Sequence, residues 1–71
     1  MPVEVCAYIT GMVWKLTKQP GDKVTQGEVV AILESMKMEM PVGAPVSGIV
    51  TAVNVKEGDA VAEGAVLVVI G

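Results

Sequence analysis

Histidine and phenylalanine are absent from this 71-residue sequence, and cysteine, tryptophan and tyrosine each occur once. Without histidine, the chain lacks the commonest general acid–base residue, the third member of a Ser–His–Asp triad and a major zinc ligand. The carboxylates are scattered singly, so we expect no catalytic residue and no metal site. An enzyme that acts on its own is therefore the least favoured class of function.

Positive charge is also scarce, because five basic residues stand against eight acidic ones and the net charge is −3. Nucleic-acid binding requires a basic patch, so we expect no nucleic-acid partner.

No apolar run is long enough to cross a bilayer, and residues 1–10 lack the basic segment that opens a secretion signal. We therefore expect no membrane association. The single Cys6 has no internal disulfide partner, which is typical of a reducing compartment. We predict that Cys6 is a small buried strand residue and that the protein is cytoplasmic.

Hydrophobic residues make up 52% of the chain, mostly as Val, Ile, Leu, Ala and Met, with eight glycines between them. Abundant β-branched residues and frequent glycine favour short strands and tight turns over helices. We predict a single all-β domain over residues 1–71.

The sequence contains an internal repeat, because residues 7–33 and 44–70 align without gaps at an offset of 37. Eight of the 27 aligned pairs are identical, against about two expected by chance. In each half we predict a strand, a Gly-Asp turn, a short apolar piece around Val24 or Val61, a second glycine turn and another strand. The predicted strands are Gly11–Thr17 and Glu28–Glu34 in the first half, and Gly48–Val55 and Ala65–Ile70 in the second. Two such units bury an apolar face only against each other, which predicts a flattened β-barrel or sandwich of two antiparallel sheets with a quasi-two-fold axis.

The link between the halves, "ESMKMEMPVG", covers residues 34–43. We predict that it continues the preceding strand, turns over residues 35–38 and returns as a strand that Pro41 and Pro45 confine to a sheet edge. Lys37 then lies at an exposed hairpin tip. The remaining lysines are predicted to be solvated surface residues: Lys15, Lys18, Lys23 and Lys56.

The methionines around Lys37 allow two interpretations. Strand alternation places Met36 and Met38 on one side and Lys37 on the other, as in an ordinary half-buried hairpin. However, a hairpin tip has little core to receive methionines, and exposed flexible methionines suit a surface that must accommodate a partner.

The stretch "ESMKMEM", preceded by "PGDKVTQGEVVAIL" and followed by "APVSGIVTAVNVKEGDAVAEGAVLVVI", resembles the biotinyl/lipoyl attachment domain family over essentially the whole chain. In that family Met-Lys-Met marks a biotin acceptor, whereas lipoyl domains usually carry Asp-Lys-Ala. The resemblance implies two four-stranded antiparallel sheets and covalent biotin on Lys37. It also implies that biotin–protein ligase reads Met36 and Met38, with Glu34 and Ser35 as further recognition residues; Ser35 stands where many members have Ala. The gapless repeat leaves no room for the "thumb" loop of some bacterial carrier subunits, so the chain resembles short attachment proteins or the carrier segment of a longer carboxylase subunit.

The function implied by this resemblance is that of a biotin carboxyl carrier. Such a carrier takes carboxylate from a biotin carboxylase site to a carboxyltransferase site of an acyl-CoA or 2-oxo acid carboxylase, for example acetyl-CoA carboxylase, and we expect a monomer without catalysis of its own. One alternative is a carrier of lipoate, or of both groups. Another is a structural adaptor like the lipoyl-like hairpin domains of export pumps, which lack Met-Lys-Met and lie between long helices.

Overall fold

The computed structural model describes residues 2–71 and contains eight β-strands in two four-stranded antiparallel sheets, which confirms the predicted fold class. The strands are β1 (Val3–Cys6), β2 (Gly11–Leu16), β3 (Lys23–Val24), β4 (Val29–Ser35), β5 (Met38–Gly43), β6 (Gly48–Val53), β7 (Ala60–Val61) and β8 (Val66–Ile70). The four predicted strands are present, with ends that differ by up to two residues. Within residues 2–71 no helix has the length and apolar character needed to cross a membrane.

Each sheet contains one two-residue strand that comes from the other half of the sequence repeat. One sheet has the order β1-β8-β6-β3 and is called the terminal sheet below; the other has the order β5-β4-β2-β7 and is called the hairpin sheet. Strand β3 of the first half pairs with β6 of the second, while β7 of the second half pairs with β2 of the first. Each half therefore completes the other's sheet, which joins the two copies into one body.

The repeat found in the sequence is present in the backbone. Gly21 and Gly58 both have a φ of 95°, and each donates its N–H to the strand of the other half, to the carbonyls of Val50 and Val13 respectively. The aspartates that follow also act alike, because the Asp22 side chain accepts the backbone N–H of Gln19 and the Asp59 side chain accepts that of Lys56, both at 2.9 Å. An offset of 37 residues thus relates turns, hydrogen bonds and strands together.

The core lies between the two sheets and is entirely apolar among the described residues. Its largest fully buried side chains come from both halves: Leu33, Leu67, Ile70, Val13, Val30, Val50 and Val68. These side chains come from β2, β4, β6 and β8, where buried and more exposed positions alternate except at two buried pairs, Val30–Ala31 in β4 and Leu67–Val68 in β8. The inner faces of the two sheets close on each other as in a sandwich.

The environments predicted for two residues, Cys6 and Lys18, are wrong. Cys6 lies in a strand as predicted, but its side chain is exposed, because β1 is the edge strand of the terminal sheet and its register shifts between Val5 and Cys6. Lys18 is not simply solvated, because it is half-buried and its Nζ lies 2.6 Å from Glu28 Oε2. This hydrogen bond from Lys18, together with the Thr25 N–H at 3.0 Å, lowers the pKa of Glu28 below its ordinary value.

The proline predictions agree with the structure in part. Pro41 lies in β5, the edge strand of the hairpin sheet, as expected for a residue that has no N–H to give to a neighbouring strand. Pro45 lies between β5 and β6 and belongs to neither strand.

We expect Gly21→Val and Gly58→Val each to destabilise the fold by about 1 kcal/mol or more, because a β-branched residue is strained at positive φ. A Cβ at either position would meet no atom within 4 Å, so the cost is conformational and not a clash. Chemical denaturation would measure it. Lys23→Val, in an exposed strand position nearby, serves as the control and should leave stability nearly unchanged. Equal stability of all three variants would contradict the assignment of the turns.

Candidate functional site

The link between the two halves forms a tight β-hairpin with a two-residue turn. Strands β4 and β5 pair in register up to Ser35 and Met38, so only Met36 and Lys37 lie in the turn. Both have positive φ, 53° at Met36 and 63° at Lys37. Positive φ at both central residues defines a type I′ turn, whose twist matches that of the flanking strands. The predicted turn at residues 35–38 is therefore present, and its conformation is fixed by the two strands.

The residues in this turn are unusual for its conformation. Type I′ turns favour Asn-Gly and similar pairs, since a Cβ at positive φ costs about 1 kcal/mol or more per residue. Met36 and Lys37 are the only non-glycine residues with positive φ among residues 2–71. Because strain of this kind concentrates at functional sites, the Met-Lys pair points to a role for these two side chains and not for the turn alone.

The side chains at the tip extend into solvent. Met36 is 92% exposed and Met38 is 60% exposed, and Lys37 is exposed as well. The interpretation of the methionines as half-buried strand residues is therefore wrong, since Met36 and Lys37 belong to the turn and strand alternation does not extend through it. The interpretation of the tip as a surface that receives a partner agrees with this exposure.

Among the described residues, the side chain of Lys37 has no charged or aromatic partner, unlike those of Lys15 and Lys18. Lys18 pairs with Glu28, and the Lys15 ammonium lies 5.4 Å from the centre of the Trp14 ring. By contrast, the Lys37 side chain makes no salt bridge or hydrogen bond within residues 2–71, a property that it shares with Lys23 and Lys56. Conversion of its ammonium to a neutral amide would therefore leave no carboxylate of this chain without a partner. The site fits a covalently attached group.

The remaining predicted recognition residues lie beside the turn. Ser35 closes the hairpin opposite Met38, and both Glu34 and Ser35 are half-buried at the end of β4. Glu34 faces Glu39 directly across the two strands, so two glutamates are cross-strand partners one pair below the turn. The structure thus brings Glu34, Ser35, Met36 and Met38 together around Lys37, and it adds Glu39, which sequence reasoning missed.

A second feature that sequence reasoning missed holds the outer strand of the hairpin. The Tyr8 hydroxyl, from the loop between β1 and β2, donates a hydrogen bond of 2.8 Å to the Pro41 carbonyl. These residues are 33 positions apart, and neither residue type signals the contact. Pro41 has no N–H and its carbonyl is capped, so this part of the β5 edge is closed to a further strand.

The chemistry available at this site is limited to that of the lysine amine. Within residues 2–71 no group of three or more cysteine, histidine or acidic residues could hold a metal ion. The exposed amine can act as a nucleophile once an external base has removed its proton. The site therefore offers an exposed primary amine that could form a covalent bond with another group.

We expect Lys37→Gly to stabilise the fold by roughly 0.5–1 kcal/mol, since glycine relieves the strain at positive φ and loses some of that gain to its greater freedom when unfolded. Lys23→Gly is the matched control, because Lys23 is exposed in a strand and does not have positive φ. Glycine should there destabilise by a similar amount. Chemical denaturation of both variants measures the two signs, and destabilisation by Lys37→Gly would contradict a strained turn.

Comparison with known proteins assigns the family. The biotin/lipoyl family model, described as biotin-requiring enzyme, matches residues 2–70. A biotin/lipoyl attachment protein from Bacillus subtilis is 52% identical over 63 residues, which cover 89% of this chain and 86% of that protein. A biotinylated protein TB7.3 homolog from Mycobacterium leprae is 43% identical over 70 residues, which cover 99% of both chains. The crystal structure of Kluyveromyces lactis urea carboxylase superposes with a TM-score of 0.93 at 39% identity, over 100% of this chain and 6% of that one. The fold, the hairpin and these relatives together show that the chain belongs to the biotin/lipoyl attachment domain family.

Proposed function

We propose that a biotin–protein ligase attaches biotin to Lys37, and that the chain then carries carboxylate between the biotin carboxylase and carboxyltransferase sites of a biotin-dependent carboxylase. The observation that carries this proposal is the lysine held at positive φ, exposed and without a partner, between two exposed methionines. Membership in the family and the names of the relatives, which include an attachment protein, a biotinylated protein and a carboxylase, support it.

Attachment joins two groups and releases one. The ligase supplies biotin activated as its acyl-adenylate and removes a proton from the Lys37 amine. The amine nitrogen then attacks the activated carbonyl, an amide forms, and AMP leaves with the electron pair of the broken bond. Because the ligase must bring one nitrogen to one carbonyl carbon, the rigid turn contributes by fixing where that nitrogen lies. Met36 and Met38 supply adaptable apolar surface to the ligase, with Glu34 and Ser35 at its margin.

Transport depends on the tether. When bound, biotin supplies a ureido nitrogen that accepts and releases carboxylate. The contribution of Lys37 is a side chain of four methylenes on an exposed turn, which raises the effective concentration of the attached group at each active site. In this proposal the carboxylase sites carry out the transfer, and no side chain of this chain is required for it.

The proposal also includes the localisation and the oligomeric state of the protein. We place the protein in the cytoplasm, since an exposed lone thiol such as Cys6 persists as a thiol in a reducing compartment. We also propose a monomer that meets each partner in turn, which agrees with a net charge of −3 that disfavours self-association.

The test is to incubate the unmodified chain with a biotin–protein ligase, biotin and ATP, and to measure the intact mass and locate the modified residue by peptide sequencing. We expect one biotinyl group per chain, on Lys37. A parallel reaction with lipoate and a lipoyl ligase tests the alternative cargo. Efficient lipoylation without biotinylation would overturn the proposal in favour of a lipoyl carrier.

A further inference from the structure

The two halves of the molecule provide an internal comparison, because the same backbone carries different side chains. Strand β2 has a bulge between Val13 and Lys15, and β6 has the corresponding bulge between Val50 and Ala52. The extra residue is Trp14 in one bulge and Thr51 in the other. Thr51 satisfies its hydroxyl by donating to the Val69 carbonyl at 3.3 Å. The Trp14 side chain makes no hydrogen bond within residues 2–71 and is 38% exposed. The fold therefore accepts a small polar residue here, and the tryptophan calls for another reason.

Trp14 begins a row of apolar and aromatic side chains across the outer face of the hairpin sheet. Its neighbour Lys15 pairs with Ile32, Ile32 pairs with Pro41, and Pro41 accepts the hydrogen bond of Tyr8 at the sheet edge. We call Trp14, Ile32, Pro41 and Tyr8 the aromatic band. It contains both aromatic residues of the chain.

The terminal sheet has no such band. An offset of 37 places Thr51, Val69, Glu4 and Pro45 at the corresponding positions. Since the backbones of the two halves correspond, packing of the core does not account for the difference. Exposed aromatic and apolar groups of this kind are typical of protein-binding surfaces.

The next row toward Lys37 carries negative charge. Glu34 and Glu39 face each other across β4 and β5, and neither forms a salt bridge within residues 2–71. Like charges directly opposite in a sheet are destabilising. A partner with lysine or arginine at this point would remove that cost, so the charge indicates a basic partner surface beside an apolar one.

We propose that the aromatic band, together with Glu34 and Glu39, is the surface on which the biotin carboxylase component docks. This inference rests on the proposed function above. Biotin carboxylation consumes ATP and bicarbonate, both anions, and anion sites are built from arginine and lysine. The mouth of such a site is therefore positive, and it complements the two glutamates while apolar surface around it covers the band.

The position of the surface suits a tethered substrate. Ile32 in the band is five residues from Lys37 along the hairpin, or about 15 Å at strand spacing. A partner seated on the band thus keeps its active site near the tip without touching the turn, so the attached group can enter and leave while the carrier stays docked. Two alternative occupants fit less well. A second copy would bring its own glutamates toward these, and a membrane surface carries negative charge that repels them.

The experiment measures the steady-state kinetics of the host's biotin carboxylase with fully biotinylated carriers, each loaded to completion and verified by intact mass. We compare wild type with Trp14→Thr, whose new residue already occupies the same bulge in the terminal sheet. The control is Ile49→Thr, because Ile49 is 39% exposed on the terminal sheet. We expect Trp14→Thr to raise KM for the carrier roughly tenfold with kcat unchanged, as for loss of one central interface residue. Ile49→Thr should leave both constants at wild-type values.

Glu39→Gln tests the charged part of the surface. We expect it to raise KM roughly threefold at low salt and to have little effect at high salt, where exposed charges are screened. An unchanged KM in Trp14→Thr, or an equal rise in Ile49→Thr, would overturn the docking surface. So would dimerisation of wild type, measured by analytical ultracentrifugation, that Trp14→Thr abolishes, or a rise in KM for Trp14→Thr that appears only in a parallel assay of the carboxyltransferase. If wild type acquired no biotin at all, the proposed function itself would be overturned.

Discussion

The Lys37→Arg variant is expected to fold like wild type and to acquire no biotin from ligase, biotin and ATP. Arginine retains the positive charge and the exposure at the tip, but its guanidinium does not lose a proton in proteins and offers no amine lone pair to an activated carbonyl. The turn keeps an L-residue at a φ of 63°, so stability should change by only about a few tenths of a kcal/mol. Streptavidin blotting and intact mass measure the modification, and chemical denaturation measures the fold.

Lys56→Arg is the matched control, because Lys56 is also exposed but lies in the turn after β6. It should be biotinylated at the wild-type rate. Substantial biotin in Lys37→Arg would show that another lysine is accepted, and the assignment of the site would then be wrong.

The repeat allowed most of the fold to be predicted from the sequence. The Gly21-Asp22 pair recurs 37 positions later as Gly58-Asp59, so each half supports the assignment of strands and turns in the other. Positive φ at both glycines agrees with that reading. The hairpin was predictable for a similar reason, because the link had to reverse direction between two copies.

Other features depend on surroundings that the sequence does not encode locally. Met36 and Lys37 have no intrinsic preference for positive φ, so strand alternation was extended through a turn that the pairing of Ser35 with Met38 imposes. Cys6 was predicted to be buried from residue type alone, although its exposure follows from the position of β1 at a sheet edge. The Glu34–Glu39 pair needed the register of two strands. Such errors arise where tertiary pairing decides the environment of a residue.

The exchange of two neighbouring side chains tests whether position, and not the mere presence of a lysine, makes the site. In the Lys37→Met/Met38→Lys double variant, "ESMKMEM" becomes "ESMMKEM". Residue 38 is the first residue of β5 and pairs with Ser35, so the amine leaves the turn and points in the direction of a strand residue. The lysine then has Glu39 and not a methionine on its C-terminal side.

We expect this double variant to be folded and to be biotinylated at least about a hundredfold more slowly than wild type, because misplacement of a reacting group by about 1 Å can cost that much in rate. Its stability should stay close to that of wild type, since position 37 still holds a non-glycine residue at positive φ and composition is unchanged. Met38→Leu is the control, which keeps Lys37 in the turn with an apolar neighbour and should react within a few-fold of wild type.

Initial rates of biotin incorporation distinguish the double variant from Met38→Leu. If the exchanged lysine reacted at nearly the wild-type rate, the ligase would be accepting a mobile segment, and the strained turn would be unnecessary for modification. A slow double variant beside a fast Met38→Leu would mean that the left-handed turn contributes to the reaction by fixing the direction of the Lys37 amine.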